Sequence, residues 1–400
     1  MRTIPDIKLR EIEGYAKVLA RGFDTVKETF NMQVPDSLIE RLDAEKKRLS
    51  EDENSAGDII TFGDEQLKLS PYGTRSALYV LGNDDFTIFL RSPKMEWCVS
   101  VEYRSAGLWE YGLEKLRDRA LKCLFKEMKP IPHKDCVYGL DDARSWQRVS
   151  IIHWAFDFYS PEFSKEMRPA ILEQIFCPSA TKKSGQGIEY GAFGKGNSLE
   201  TLTIGKKNNL QVQVYNKGKE IKDTNGKTWM FDLWARSGWQ LPDDGHAVDV
   251  WRLEFRYGSE FLKNRGLLTL DEALEELPAI LTEGIFTRRL SDKVASDSNR
   301  SRWPMHALWV AAYKEIGEGY PFMLPLGKQS TTTIEAKAAA LKKTTAGNLR
   351  ALAIMTCGDV DDLTAINLIA ECYDMMKYDP DGKRKTDRCI TRYFFANEAA

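Results

Sequence analysis

In three short stretches of the chain, side chains able to act as nucleophiles, proton carriers or metal ligands recur at every second position. Over 151–158, alternation sets Ile152, Trp154, Phe156 and Phe158 against Ile151, His153, Ala155 and Asp157. In a strand, the imidazole and the carboxylate therefore look the same way. Over 210–217 the apolar set is Leu210, Val212 and Val214, opposite Gln211, Gln213, Tyr215 and Lys217. Over 251–257 it is Trp251, Leu253, Phe255 and Tyr257, opposite Arg252, Glu254 and Arg256. A half-buried sheet needs such alternation for nothing more than solvation. A solvated face usually favours Lys, Thr and Glu, however, whereas a tyrosine, an imidazole and two carboxylates suit metal binding and covalent chemistry. Glu200 is harder to place, because its segment alternates poorly and it shares a side with Leu202 and Ile204.

A sheet must hold these residues, and the rest of the pattern supplies one. Residues 23–32 read as a strand, and Pro35-Asp36-Ser37 opens an amphipathic helix through about Leu49. Strands are expected at 77–81, 86–91 and 97–104, the first two joined by the hairpin signal Gly82-Asn83-Asp84-Asp85. Residues 108–128 have helical spacing, with Leu113, Leu116, Ala120, Cys123 and Leu124 on one side. A second set of strands begins at 148–159, followed by a helix over 162–176 that Pro169 breaks or kinks. Residues 178–196 read as a Gly-, Ser- and Lys-rich loop; the glycines of 185–196 lack the helix-opening context of a phosphate-binding loop. Strands 199–204 and 210–216 make a hairpin, 248–257 a further strand, and from Phe261 onward the pattern is helical. The expected class is α+β: an antiparallel sheet of two similar halves with flanking helices, then a mainly helical C-terminal region.

Composition narrows the function classes. With 57 Lys+Arg against 59 Asp+Glu in 400 residues, a formal charge of -2 excludes a chain that coats nucleic acid by bulk positive charge. A local patch exists nonetheless: residues 201–227 hold six lysines (206, 207, 217, 219, 222 and 227) against Glu220 and Asp223, a net +4 suited to holding phosphates. The same lysines also suit a plain solvated loop. The seven cysteines are odd in number and contain no Cys-x-x-Cys pair, which fits a reducing compartment. The N-terminus has no apolar h-region and no stretch reaches 18 apolar residues, so a signal peptide and a membrane partner are not expected and the localisation expected is cytoplasmic.

Taken together, the segments Arg148-Val149-Ser150-Ile151-Ile152-His153-Trp154-Ala155-Phe156-Asp157-Phe158, Glu200-Thr201-Leu202-Thr203-Ile204-Gly205, Val214-Tyr215-Asn216-Lys217 with Glu220, and Trp251-Arg252-Leu253-Glu254 resemble the replication initiation factor family. This family comprises rolling-circle plasmid and phage initiators and related conjugative relaxases. Weaker similarity covers Gly22-Phe23-Asp24-Thr25, residues 101–113, Asn299-Arg300-Ser301-Arg302-Trp303-Pro304 and Ala346-Gly347-Asn348. The resemblance implies a DNA-nicking catalytic domain over 16–264, with halves at about 16–130 and 146–264, and a helical accessory region over 265–400. It implies that Tyr215 attacks a phosphodiester, that Lys217 neutralises charge, and that Asp157, Glu200 and Glu254 hold Mg2+ or Mn2+. His153 stands where relatives usually carry an aspartate, so it is a fourth ligand, a DNA contact or a hydrogen-bonded structural histidine. Lys206, Lys207, Lys219, Arg252, Arg256, Arg300 and Arg302 are the expected DNA contacts. Glu254 equally suits a salt bridge to Arg252 or Arg256, Arg300 and Arg302 suit a helix cap, and Trp303 and Trp309 suit the core. The implied partners are origin DNA, single-stranded or as an extruded hairpin, a host helicase, and a second copy in a homodimer. A relaxase, a catalytically decayed DNA-binding relative and a hydrolytic nuclease remain alternatives.

Overall fold

The computed structural model describes residues 14–51, 57–134, 139–140, 142–178, 190–224, 226–243, 249–317, 345–346, 349–350, 352–354 and 362–378. Their strands are β1 (Lys17–Phe30), β2 (Met32–Gln33), β3 (Asp58–Phe62), β4 (Glu65–Leu69), β5 (Tyr79–Gly82), β6 (Phe86–Leu90), β7 (Val99–Tyr103), β8 (Lys129–Pro130), β9 (Gln147–Tyr159), β10 (Ile175–Phe176), β11 (Tyr190–Lys195), β12 (Ser198–Gly205), β13 (Leu210–Asn216), β14 (Val250–Gly258) and β15 (Arg289–Leu290). Eleven of them form one sheet in the order β11-β12-β13-β14-β9-β1-β7-β6-β5-β4-β3. Every pairing in it is antiparallel. The long strands β1 and β9 lie side by side at its centre, and each heads a half. The last strand of each half, β7 or β14, returns to pair with the strand that opened it. The architecture is therefore α+β, with a large antiparallel sheet in two similar halves, flanking helices and a helical C-terminal region.

The helices form where apolar spacing demands burial on one side. In α1 (Asp36–Ser50) the buried residues are Leu38, Leu42 and Leu49. The spacing over 108–128 divides into α2 (Ser105–Tyr111) and α3 (Leu113–Glu127), because Gly112 takes φ +80, a conformation that ends one helix before the next begins. The expected stripe of α3 is the one buried: Leu113, Leu116, Ala120, Cys123 and Leu124. Pro169 has the effect expected of it. The chain leaves α4 (Pro161–Glu166) and runs into a 3-10 turn, Pro169–Gln174. One expectation is corrected. Part of the expected loop, 190–195, is the edge strand β11, fully exposed and therefore without apolar alternation to announce it. The hairpin β3–β4 went unread because its buried residues are only Phe62, Leu67 and Leu69.

Of the second half's two sheet faces, the apolar one carries the main core: Ile152, Phe156, Phe158, Val212, Val214, Leu253, Phe255 and Tyr257 are all buried. After α7 (Ser259–Lys263) and α8 (Leu270–Glu275), helix α9 (Leu277–Thr287) closes on this face. A Cβ at Gly284 would come within 2.6 Å of the Tyr257 hydroxyl and 2.8 Å of Phe255 Cδ1, so glycine sets how near the helix can lie. The Tyr257 hydroxyl donates to the Ile280 carbonyl at 2.9 Å. Each such buried aromatic is worth roughly 2–3 kcal/mol of transfer free energy. The opposite face gains a smaller cover from α5 (Lys217–Thr224) and α6 (Met230–Ala235): Ile221, Met230 and Trp234 pack with Leu19, Trp239 and Val250.

The described residues 14–263 and 267–317, ending in α10 (Ala307–Gly317), belong to one compact unit. Residues 264–266 and 345–378 belong to a second unit, which contains the helix Asp362–Lys377. Gly347-Asn348 of the weaker similarity lie outside the described residues. Among the described residues no helix is long and apolar enough to cross a membrane.

Candidate functional site

Residues paired across antiparallel strands share a face, and the register turns the three alternating stretches into a grid. Ala20, Asp157, Arg252, Tyr215 and Thr201 form one row across β1, β9, β14, β13 and β12. Gly22, Ala155, Glu254, Gln213 and Thr203 form the next, and Thr25, His153, Arg256, Gln211 and Gly205 the third. All the candidate residues on β9, β13 and β14 thus stand on one face.

Within the grid the charged groups sort into two nodes. In the first, Arg252 is wholly buried and clamps Asp157 with both arms, Nε to Oδ1 at 2.6 Å and Nη2 to Oδ2 at 2.8 Å. Its Nη1 donates to Asp24 Oδ1. Trp234 of α6 donates its indole N–H to Asp157 Oδ2 at 2.9 Å. Burial works against the charge of Arg252, but Asp157, Tyr215 and Asp24 together hold its pKa well above the usual value.

The second node surrounds Glu254. Arg256 donates Nε to Oε1 at 2.8 Å and Nη2 to Oε2 at 3.1 Å. His153 Nδ1 lies 3.1 Å from Oε1, and the Tyr215 hydroxyl donates to Oε2 at 3.2 Å, reaching diagonally from the first row to the second. Burial alone would raise the Glu254 carboxyl; hydrogen bonds from His153 and Arg256, with their charge, more than offset this and hold it below the usual carboxylate range. The Tyr215 phenol moves the other way. Burial and the Glu254 charge push it well above its ordinary value, with Arg252 opposing. The resting pair is therefore a neutral phenol donating to an ionised carboxylate. Glu254 is 1 % exposed, whereas His153 and Arg256 are 22 % and 25 % exposed, so the site opens to solvent along the third row.

Lys217, two residues beyond Tyr215, is buried with its Nζ 5.5 Å from the Tyr215 ring centre and 2.7 Å from Glu220 Oε2. Burial and then repulsion from Arg252 and Lys227 lower its pKa, with Glu220 opposing. Glu200 is the extra residue of a β-bulge, since Thr201 pairs with Phe193 and Leu199 with Gly194. Its carboxylate lies 3.4 Å from Lys219, which also meets Asp223 at 3.4 Å. Lys206 and Lys207 are exposed on the β12–β13 turn. Arg300 and Arg302 sit in a 3-10 turn capped by Asn299: Arg300 donates to the Ile175 carbonyl at 3.0 Å, and Arg302 is forked onto Asp297 at 2.6 and 2.7 Å. Trp303 and Trp309 are buried.

Three contributors escaped the sequence reading. Asp24 enters through a bulge: Phe23 pairs with Trp154 and Thr25 with His153, which leaves Asp24 as the extra residue. Trp234 comes from a helix with no motif of its own. Trp109 of α2 lies over Gly22, where a Cβ would stand 3.1 Å from its ring, and so walls the second row. The signal for Asp24 and Trp109 was their place in weakly similar segments.

The donor set can be tested against a divalent ion. Both oxygens of Asp157 and both of Glu254 already accept charged hydrogen bonds from arginine, and Glu200 is paired with Lys219. Among the described residues, no three of His, Cys, Asp and Glu stand together as an ion would require. As arranged, these carboxylates do not fit a carboxylate-clamped Mg2+ or Mn2+.

No protein-family model matches the chain. It is 29 % identical over 96 residues to the uncharacterized protein ORF430 of Pseudomonas phage Pf1, a match spanning 22 % of each chain. Among solved structures it is similar to a rolling circle replication initiator protein from Geobacillus stearothermophilus, at 14 % identity and a TM-score of 0.41, over 79 % of this chain and 100 % of that one.

Proposed function

We propose that this chain starts rolling-circle replication by nicking one DNA strand with Tyr215 and later rejoining it. The observation that carries the reading is the Tyr215 hydroxyl held 3.2 Å from an ionised Glu254, on a face that opens to solvent beside Arg256 and His153. The matched order of the motif segments supports it.

The chemistry follows from that pair. As the Tyr215 oxygen bonds to phosphorus, the bond from phosphorus to the 3′-oxygen breaks, and the phenol proton becomes acidic enough to pass to Glu254. Because Glu254 is held below the usual carboxylate range, the proton leaves during bond formation and not before it. The departing 3′-oxygen takes a proton from water. The 5′-phosphate stays on Tyr215 as a phosphodiester, so a 3′-hydroxyl can later reverse the step with no other energy source. Lys206 and Lys207, on the exposed turn of the same hairpin, supply charge for the phosphate backbone.

The test is a covalent adduct. A single-stranded oligonucleotide of the origin should leave a denaturation-resistant product on the protein, mapped by peptide sequencing to Tyr215 and lost in Tyr215→Phe. Cleavage without an adduct would point to hydrolysis, and an adduct on Tyr159 or Tyr257 would move the active site.

A further inference from the structure

We propose that Arg252 and Arg256 supply to Tyr215 the fixed positive charge that a divalent ion would otherwise supply, so that strand transfer runs without a bound metal. The inference rests on the nicking reading above and goes beyond it. Its ground is the occupancy of the donors. Arg252 cannot move aside for an ion, because it is wholly buried and tied to carboxylates on two other strands, Asp157 on β9 and Asp24 on β1. Displacing it would strand a guanidinium in the interior. It stands directly opposite Tyr215 in the β13–β14 register, and its charge opposes the rise in the phenol's pKa. Trp234 seals the node from the α6 side, through its bond to Asp157.

Arg256 is the cation on the open side. Its fork fixes both Glu254 oxygens, and it is a quarter exposed in the row next to Glu254. A phosphodiester approaching Tyr215 from the third row meets a planar guanidinium suited to non-bridging phosphate oxygens. Charge developing on the phosphoryl oxygens as the Tyr215 oxygen bonds and the 3′-oxygen departs then meets Arg256, while Arg252 from beneath favours the ionised form of the Tyr215 oxygen. The atoms of the step are those given above, with the phenol proton on Glu254 and a proton from water on the 3′-oxygen.

The experiment uses the full chain and two readouts. Mn2+ titration followed by electron paramagnetic resonance should show no saturable site, and adduct formation should proceed undiminished in excess chelator. Arg256→Ala removes the arginine fork from Glu254 and leaves its bonds to Tyr215 and His153. It should lose metal-free adduct formation by about 10²-fold or more. Arg256→Lys, which keeps a charge but not the fork, should retain part of the metal-free rate, and circular dichroism of both variants should match the parent. An adduct on Tyr215 that forms only with metal, or a saturable Mn2+ site in the unsubstituted chain, would overturn the inference and leave the nicking reading standing. No adduct under any condition would remove that reading and this inference with it.

Discussion

In the proposed reaction Glu254 is the residue on which the chemistry turns, since it touches the phenol, the imidazole and a guanidinium at once. Replacing it by Gln keeps the shape and removes the charge. In Glu254→Gln the Tyr215 phenol, no longer facing a carboxylate, should titrate at lower pH than in the parent, visible as an earlier rise in tyrosinate absorbance during alkaline titration. Adduct formation should fall by about 10²-fold or more, the usual worth of a positioned proton acceptor, while oligonucleotide binding holds. An unchanged rate would remove Glu254 from the reaction. The same carboxyl also carries a stability term. Its folded-state pKa is depressed, so its contribution is present above the unfolded value near ~4.3 and is lost as pH falls through the folded value.

At the level of elements, alternation placed His153, Asp157, Tyr215, Arg252, Glu254 and Arg256 on one face, and the register agrees. It could not show that Arg252 and Asp157 are buried while Arg256 is not. That difference depends on α5 and α6, which follow β13 and cover only one end of the face. Nor could it show Asp24 or the bulge at Glu200, because one inserted residue reverses the parity on which the reading depends. The first half has a buried node of its own that escaped notice for a related reason: its arginine is on a helix. Arg117 of α3 forks onto the wholly buried Glu28 of β1 at 3.0 and 3.1 Å, and Tyr103 donates to the same carboxylate at 2.9 Å. Arg117→Ala should cost about 3–5 kcal/mol, because it leaves an uncompensated charge in the interior. Burial already raises the Glu28 pKa, with Arg117 opposing; without Arg117 the rise is larger. The folded state then holds a proton that the unfolded state releases, so the loss of stability should shrink as pH falls toward ~4.3. Denaturant midpoints at neutral and acidic pH would show it, and a loss independent of pH would mean that packing, not charge, is what Arg117 contributes.

For the whole molecule, a net charge of -2 means that the proposed DNA binding would depend on where the cations are and not on how many there are. Several of the cations that the motifs pointed to are paired with carboxylates: Arg252 with Asp157, Lys217 with Glu220, Arg302 with Asp297 and Lys219 with Glu200. Lys206 and Lys207 are exposed at the β12–β13 turn, four residues along β13 from Tyr215 when counted from the Gly205–Gln211 pair, or about 13 Å of strand. On the proposed reading that distance separates holding the strand from cutting it, so the two functions should separate in variants. Replacing both lysines by Ala should weaken binding of a single-stranded origin oligonucleotide and reduce the slope of log K against log salt by about 1.4, at ~0.7 for each phosphate no longer neutralised. Tyr215→Phe should leave affinity and slope unchanged while abolishing the adduct. Binding isotherms at four salt concentrations would decide the matter. An unchanged slope in the double variant would mean that DNA is held elsewhere, and equal loss in both variants would mean that binding and chemistry share one surface.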